Sequence, residues 1–255
     1  HFEANPDLTK ALQEKGLFAV GFETVADSDR LPLLAPMSDN AGQLSIHIGA
    51  QLLHHYTGGK GVMLGGLAGT KRGKVVILGA GVAGRAAARV AASLGAEVCV
   101  FARRREQQDQ MRMLGPNVTA LYPFQSEIGK ALLETDLLVG AVLVPGAKAP
   151  CIVSKTMVRQ MQSGSVIVDI AVDQGGCIES IYPTNYEKPT YLWEGVIHFA
   201  VTNMPGAVPR TSSQALSASI LSYALTMAQK DWQKDANLNA AINVKKGKIV
   251  LSTLK

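Results

Sequence analysis

The 255 residues carry 47% hydrophobic and 18% charged side chains, with 25 Lys and Arg against 20 Asp and Glu for a net charge of +5. That apolar share is enough for a real core, which excludes disorder as the dominant state, and the low charge together with 25 glycines excludes a coiled coil or a collagen-like chain. The basic excess suits small anionic ligands and is too thin for a dedicated nucleic-acid surface, and no apolar run reaches the ~18 residues of a membrane span.

Cys99, Cys151 and Cys177 are far apart and lack any CxxC spacing, so they read as reduced thiols of a cytoplasmic protein, neither a disulfide frame nor a metal site. No basic stretch leads into an apolar signal core. The chain begins at His1 and not at Met, which reads as a fragment whose missing functions lie upstream.

In chain order, Asn5-Pro6-Asp7 caps a short helix stopped by Gly16, and Leu17 to Phe22 reads as a strand. Ser38 or Asp39 caps a second helix, a connector between two lobes over 38–55 that carries Ala41, Leu44, Ile46, Ile48, Leu52 and Leu53. Lys74 to Leu78 is a continuous apolar strand of the buried parallel kind. After it come a helix Val82–Leu94, a strand Glu97–Phe101, a helix Glu106–Met113, a strand Val118–Tyr122, a helix Gln125–Leu133, a strand Asp136–Val142, a helix Ser154–Met161, a strand Ser165–Ile170 and a last strand Val196–Val201. This alternation implies right-handed crossovers and an α/β fold with a doubly wound parallel sheet. From Pro209 the chain reads as helical over Ala215–Lys230 and Asp231–Ile242, with a small basic hairpin over Lys245–Val250.

The strand Lys74–Leu78 runs into Gly79-Ala80-Gly81-Val82-Ala83-Gly84 and then into an Ala-rich helix. The GxGxxG spacing has a mechanism. Gly79 makes the tight turn, Gly81 lets the backbone approach a pyrophosphate, Gly84 lets helix and strand pack closely, and Val82 and Ala83 open the helix whose N-terminus faces the phosphates. The strand that follows normally ends in an acidic residue for the ribose hydroxyls; here Ala102 stands at that point, followed by Arg103, Arg104 and Arg105. A carboxylate would repel a 2′-phosphate, whereas a small residue beside guanidinium groups can bind one, so NADP is expected to be accepted as well as NAD; the alternative is that the arginines are a solvated helix start.

Several later segments go beyond a generic dinucleotide fold. The stretch Gly140–Pro150, the stretch Ser165–Gly176 with its Asp-Gln-Gly-Gly, Tyr182-Pro-Thr with Pro189-Thr-Tyr191, and Asn203-Met-Pro-Gly-Ala-Val-Pro-Arg-Thr211 resemble alanine dehydrogenases. So do Met37-Ser38 with Ala41-Gly42, and Gly58-Gly59-Lys60-Gly61 with Leu64-Gly65-Gly66. The nucleotide-binding subunit of proton-translocating transhydrogenase shares the fold but resembles the chain less in the Asp-Gln-Gly-Gly and Met-Pro-Gly-Ala-Val-Pro segments.

The resemblance implies reversible oxidative deamination of L-alanine to pyruvate and ammonia. It carries over Asp173 as the catalytic carboxylate, at a strand's carboxyl end, and His1 as the acid/base that hydrogen-bonds the substrate carbonyl. It places Ser38 near the pyrophosphate, Val142 and Leu143 along the adenosine, Ile170 and Asp173 at the nicotinamide ribose, and Asn203 and Met204 near the ring; ordinary core packing is the alternative for Val142, Leu143, Ile170 and Met204. The sequence departs from the family pattern at the adenine end, at Ala102, Gln107 and Pro123, and in the absence of most of the N-terminal lobe. The resemblance also implies a dinucleotide-binding domain over 34–205, with 1–33 and 206–255 as the remainder of an incomplete flavodoxin-like substrate lobe whose front part precedes His1. It implies a homo-oligomer, a hexamer. The competing readings are a non-catalytic NAD(P)-binding module, a transhydrogenase subunit, and a related opine or imine reductase acting on a larger amine.

Overall fold

The computed structural model describes residues 6–28, 30–144 and 149–250. In chain order the elements are α1 (Pro6–Glu14), β1 (Ala19–Val20), α2 (Ala35–Leu52), β2 (Lys74–Leu78), α3 (Val82–Ser93), β3 (Glu97–Phe101), α4 (Arg105–Arg112), β4 (Val118–Leu121), α5 (Gln125–Leu132), β5 (Leu137–Gly140), α6 (Lys155–Arg159), β6 (Val166–Asp169), β7 (Thr190–Trp193), β8 (Val196–Phe199), α7 (Pro209–Met227), α8 (Ala236–Ala240), β9 (Ile242–Lys245) and β10 (Lys248–Ile249). The described residues fall into two compact units, one of 38–144 with 149–207 and the other of 6–37 with 208–250.

The larger unit is built on a seven-stranded sheet of order β4-β3-β2-β5-β6-β8-β7. The first six strands are parallel; β7 alone runs antiparallel, against β8. The strand order reverses at β2, whose partners are β3 on one side and β5 on the other. An open doubly wound sheet binds its ligand at this reversal, outside the carboxyl ends of the strands. Burial on both faces explains the apolar runs: in β2, β5 and β6, alternate residues enter opposite layers. Val75, Ile77, Leu137, Val139, Val166 and Val168 lie in one layer with Ile46 of α2 and Ala87, Ala88 and Ala91 of α3. Val76, Leu78, Leu138 and Ile167 lie in the other with Ile128 and Leu132 of α5 and Val158 of α6.

The smaller unit holds a three-stranded antiparallel sheet of order β1-β9-β10 and a cluster of Val25, Leu33, Leu238 and Ala241, against which Ile220, Tyr223, Met227 and Trp232 pack. The expected basic hairpin is the β9–β10 pair, turned by Lys246 and Gly247 at positive φ of 47° and 76°.

Three sequence expectations are corrected here. The helix expected over Asp231–Ile242 is a short 3-10 turn at Trp232–Lys234, then α8, and the chain is already extended as β9 from Ile242. The connecting helix expected over 38–55 is α2, which starts at Ala35 and ends at Leu52. Pro36 is tolerated in its first turn, where an N–H has no helical partner to lose. Ser38 and Asp39 therefore lie inside the helix and cap nothing; Asp39 instead accepts from Gln43 Nε2 at 2.8 Å and pairs with Arg89 at 3.5 Å. The last strand of the sheet in sequence ends at Phe199, not Val201, and an unexpected strand, β7, precedes it.

The glycine turn between β2 and α3 depends on close approach. Gly79 has φ +100°, a region L side chains rarely adopt, and its N–H donates to the Phe101 carbonyl at 2.9 Å. A Cβ on Gly84 would collide with the Gly79 carbonyl oxygen and come within 2.8 Å of its carbon. Both partners are backbone and cannot swing aside, so Gly84→Ala is expected to cost about 1–3 kcal/mol. Denaturant unfolding of the full-length protein checks this, with dinucleotide binding weakened in parallel.

Candidate active site

The strand carboxyl ends bring the sequence-predicted residues other than His1 and Ser38 to one edge of the larger unit. At the reversal, Leu78 of β2 pairs with Gly140 of β5. A Cβ placed on Gly79 would lie 3.3 Å from Val142 Cγ2, so the glycine turn and the segment after β5 are neighbours. Gly81 is exposed, and a Cβ there would meet nothing within 4 Å. It precedes α3, of 12 residues, with no side-chain hydrogen bond capping the helix N-terminus. Val82 is exposed and Ala83 half-buried in the first turn. Open space at Gly81 and a helix start without a side-chain cap are the donor set and clearance that a pyrophosphate requires, so these residues fit a dinucleotide.

At the adenine end, the backbone of Ala102 is fixed on both sides: its N–H donates to the Leu121 carbonyl at 2.9 Å and its own carbonyl accepts from Gln108 Nε2 at 2.7 Å. Ala102 is 3% exposed, and the exposed Arg103 and Arg104 follow it before α4. Arg105 turns to Asp109 at 3.8 Å on the same helix, so the guanidiniums of Arg103 and Arg104 are the cations there without an ion pair among the described contacts. Leu143 is 47% exposed after β5, while Val142 packs against the core layer that holds Leu78 and Ile167.

The opposite side of the reversal carries the carboxylates. β6 ends at Asp169, and a 3-10 turn, Ile170–Gln174, follows it directly. Asp173 is exposed near the end of that turn and its Oδ2 accepts from the Asn203 N–H at 3.5 Å. Partial desolvation raises its pKa from the ordinary carboxylate value, and the Asn203 N–H opposes that shift. Asn203 adopts a left-handed φ of 53°, which Asn tolerates better than most residues. Met204, 3% exposed, sits in the core layer with Val139 and Val168, while its carbonyl accepts from Tyr186 Oη at 2.6 Å. Ile170 packs at the border of the same layer. Asp173 and Asn203 are therefore brought together across two loops, and Met204 and Ile170 support them from the core.

Ser38 lies half-buried in α2. His1 lies outside the described residues, so its expected role has no geometry to weigh. Two features of the loop escaped the sequence reading. Asp169, which lies in the Ser165–Ile170 stretch read only as a strand, ends β6 fully buried and accepts two backbone hydrogen bonds, from Ala171 and Cys177 at 2.8 Å each. Tyr186, which holds the Met204 carbonyl, was not singled out. The signal available for the first was a carboxylate closing an apolar strand four residues before an Asp-Gln-Gly-Gly.

Among the described residues no helix is long and apolar enough to cross a membrane. Residues 45–252 match the family described as alanine dehydrogenase/PNT, C-terminal domain. The chain is 46% identical to the alanine dehydrogenase of Bacillus subtilis over 98% of its own length and 68% of that protein. It is 49% identical to the alanine dehydrogenase of Methanococcus maripaludis over 95% of its length and 66% of that protein. The chain thus spans about two thirds of the length of these relatives. A solved L-alanine dehydrogenase superposes with a TM-score of 0.94 at 47% identity, covering 100% of this chain and 72% of that one. A transhydrogenase structure from Sinorhizobium meliloti shares the fold at TM-score 0.82 and 24% identity, covering 98% and 73%. With its strand order, its glycine turn and nearly its whole length matched in this way, the chain belongs to the alanine dehydrogenase family.

Proposed function

We propose that the chain provides the coenzyme-binding half, and part of the substrate-binding half, of an enzyme for the reversible oxidative deamination of L-alanine to pyruvate and ammonia. The observation that supports this most is the convergence at one sheet edge of a glycine turn fit for pyrophosphate and of Asp173 with Asn203, in a chain of this family. A nicotinamide dinucleotide, when bound, supplies the hydride acceptor or donor. We assign the pyrophosphate to the backbone of Gly79, Gly81, Val82, Ala83 and Gly84 with Ser38 nearby, the adenosine to Val142 and Leu143, the nicotinamide ribose to Ile170 and Asp173, and the ring to Asn203 and Met204.

Asp173 then holds and moves protons on the amine or on the attacking water. A carboxyl with a raised pKa suits that work because it gives up and takes back a proton nearer the working pH than an ordinary aspartate does. His1 is assigned the second acid/base role, at the substrate carbonyl. The core packing of Val142, Ile170 and Met204 serves the same end: it fixes the loops that present the polar groups.

The coenzyme is NAD or NADP, with a 2′-phosphate accepted at Arg103 and Arg104 in the absence of a carboxylate at position 102. We further assign a cytoplasmic location and a homohexameric assembly. The protein expressed from its complete coding sequence and given pyruvate plus ammonium is expected to consume NADH or NADPH, read as loss of nicotinamide absorbance dependent on both substrates. Tight coenzyme binding without any such loss would instead support a redirected or non-catalytic dinucleotide module.

A further inference from the structure

We propose that Asp169 is a positioning residue for the reaction: its buried carboxylate closes the 170–177 loop and so sets where Asp173 stands. The inference rests on the assignment of Asp173 as the proton-handling group. The geometry is that of a clamp. Oδ1 accepts from the Ala171 N–H at 2.8 Å, at the loop's entry, and Oδ2 accepts from the Cys177 N–H at 2.8 Å, at its exit. One rigid strand end thereby grips both ends of the segment that carries Asp173.

The glycines of Asp-Gln-Gly-Gly complete the device. Gly175 and Gly176 take left-handed φ of 89° and 75°, and their N–H groups donate to the Val172 and Ala171 carbonyls at 2.9 and 3.0 Å, which turns the chain back toward β6. A Cβ on Gly176 would lie 3.0 Å from Asp169 Oδ2, and one on Gly140 of the neighbouring strand 2.8 Å from Oδ1, so the carboxylate fits where two side chains are missing. Cys177 Sγ, 3.9 Å from Oδ1, is the adjacent titratable group; the Tyr191 phenol senses the same charge from β7, and none of the described bases contacts it.

Burial pushes the Asp169 carboxyl up to about 6, against the pull of those backbone donors. A carboxylate kept in such a place for core filling alone would be better as an apolar residue; two backbone N–H groups that need an acceptor explain why it is not. This separates a role in loop geometry from simple packing.

The test compares Asp169→Asn, Asp169→Ser and Asp173→Asn in the protein from its complete coding sequence. Asn keeps one acceptor and turns an amide toward the other donor. Ser retains an oxygen within reach of the Ala171 N–H and abandons Cys177, which keeps the question open to measurement where the Asn variant fails to fold. Both Asp169 variants are expected to lower kcat roughly 10- to 100-fold, the scale of a reacting group displaced by about 1 Å, and to weaken coenzyme binding by a smaller factor, because the pyrophosphate turn is untouched and only the ribose contacts of Ile170 and Asp173 move with the loop. The acid limb of the kcat pH profile is expected to move to lower pH as Asp173 gains solvent, which loss of packing elsewhere would not produce. Slow Asp173→Asn together with Asp169 variants that keep wild-type kcat and pH profile overturns the positioning role alone. Wild-type kcat in Asp173→Asn overturns the assignment of Asp173, and the positioning role with it.

Discussion

Asp173→Asn is expected to lower kcat by about 10²- to 10⁴-fold, the usual contribution of a positioned acid or base, with little change in stability. The two halves of that expectation have separate causes. Asn preserves the size of the side chain and can still accept from the Asn203 N–H, a contact of 3.5 Å that holds little energy to lose. What Asn cannot do is exchange a proton near neutral pH. Because partial desolvation already raises the pKa of the Asp173 carboxyl, the protonated form of the wild type persists to higher pH than in an ordinary aspartate. The wild-type pH profile of kcat is therefore expected to carry an ionisation above the usual carboxylate range that the variant lacks. Steady-state assays with pyruvate and ammonium, alongside coenzyme titration and a thermal melt, check all three points. A variant with near-wild-type kcat and an intact melt would move the proton chemistry away from Asp173.

Much of the cofactor half was legible in the sequence because its physics is local or one-dimensional. Strands buried on both faces read as unbroken Val, Ile and Leu runs, and β2, β5 and β6 were placed to within two residues at each end for that reason. The glycine turn was legible because Gly79 and Gly84 answer separate steric demands that the spacing encodes, a left-handed φ and a close backbone approach, while Gly81 between them leaves open space. The failures have equally definite causes. β7 lies at the sheet edge with Leu192 68% exposed, so it carries no buried run, and its turn to β8 is made by Glu194 and Gly195 at φ 51° and 76°, with Glu where Asn or Asp usually announces such a hairpin.

β9 was hidden differently. Ala236, Leu238, Ala240 and Ala241 carry a helical pattern up to Ile242, and only pairing with β1 and β10 draws Ile242–Lys245 into a sheet. The start of α2 was misplaced because Ser38 and Asp39 are good caps by type, and a cap depends on where the backbone first turns. Asp169 could be seen in the sequence but not understood there: its meaning comes from the return of Cys177 to its carboxylate, eight residues later, through two left-handed glycines. The adenine end remained a matter of chemistry more than of pattern, since what distinguishes it is the carboxylate that position 102 does not carry.

That missing carboxylate leads to the second large effect, a change of coenzyme preference by substitution at one residue. Ala102→Asp is expected to shift the ratio of NADPH to NADH affinity toward NADH by at least tenfold, and Arg103→Ala with Arg104→Ala to weaken NADPH by roughly 10- to 100-fold while leaving NADH within threefold. The magnitudes follow from hydrogen bonds to a charged group, about 1.5–3 kcal/mol each, at about 1.4 kcal/mol per factor of ten. The backbone at the site favours a clean reading. The Ala102 N–H and carbonyl are both held, by Leu121 and Gln108, so a new side chain changes the charge presented at the end of β3 without freeing the strand. Arg103 and Arg104 are exposed and cap no helix through their side chains, so truncating them removes cation and little else. Salt supplies the internal control: the arginine contribution to NADPH binding is expected to shrink as ionic strength rises from 0.01 to about 0.15 M, where the screening length falls from about 30 to 8 Å, while NADH binding changes much less. Equal NADPH affinity in wild type and the double arginine variant at low salt would return those arginines to the role of a solvated helix start.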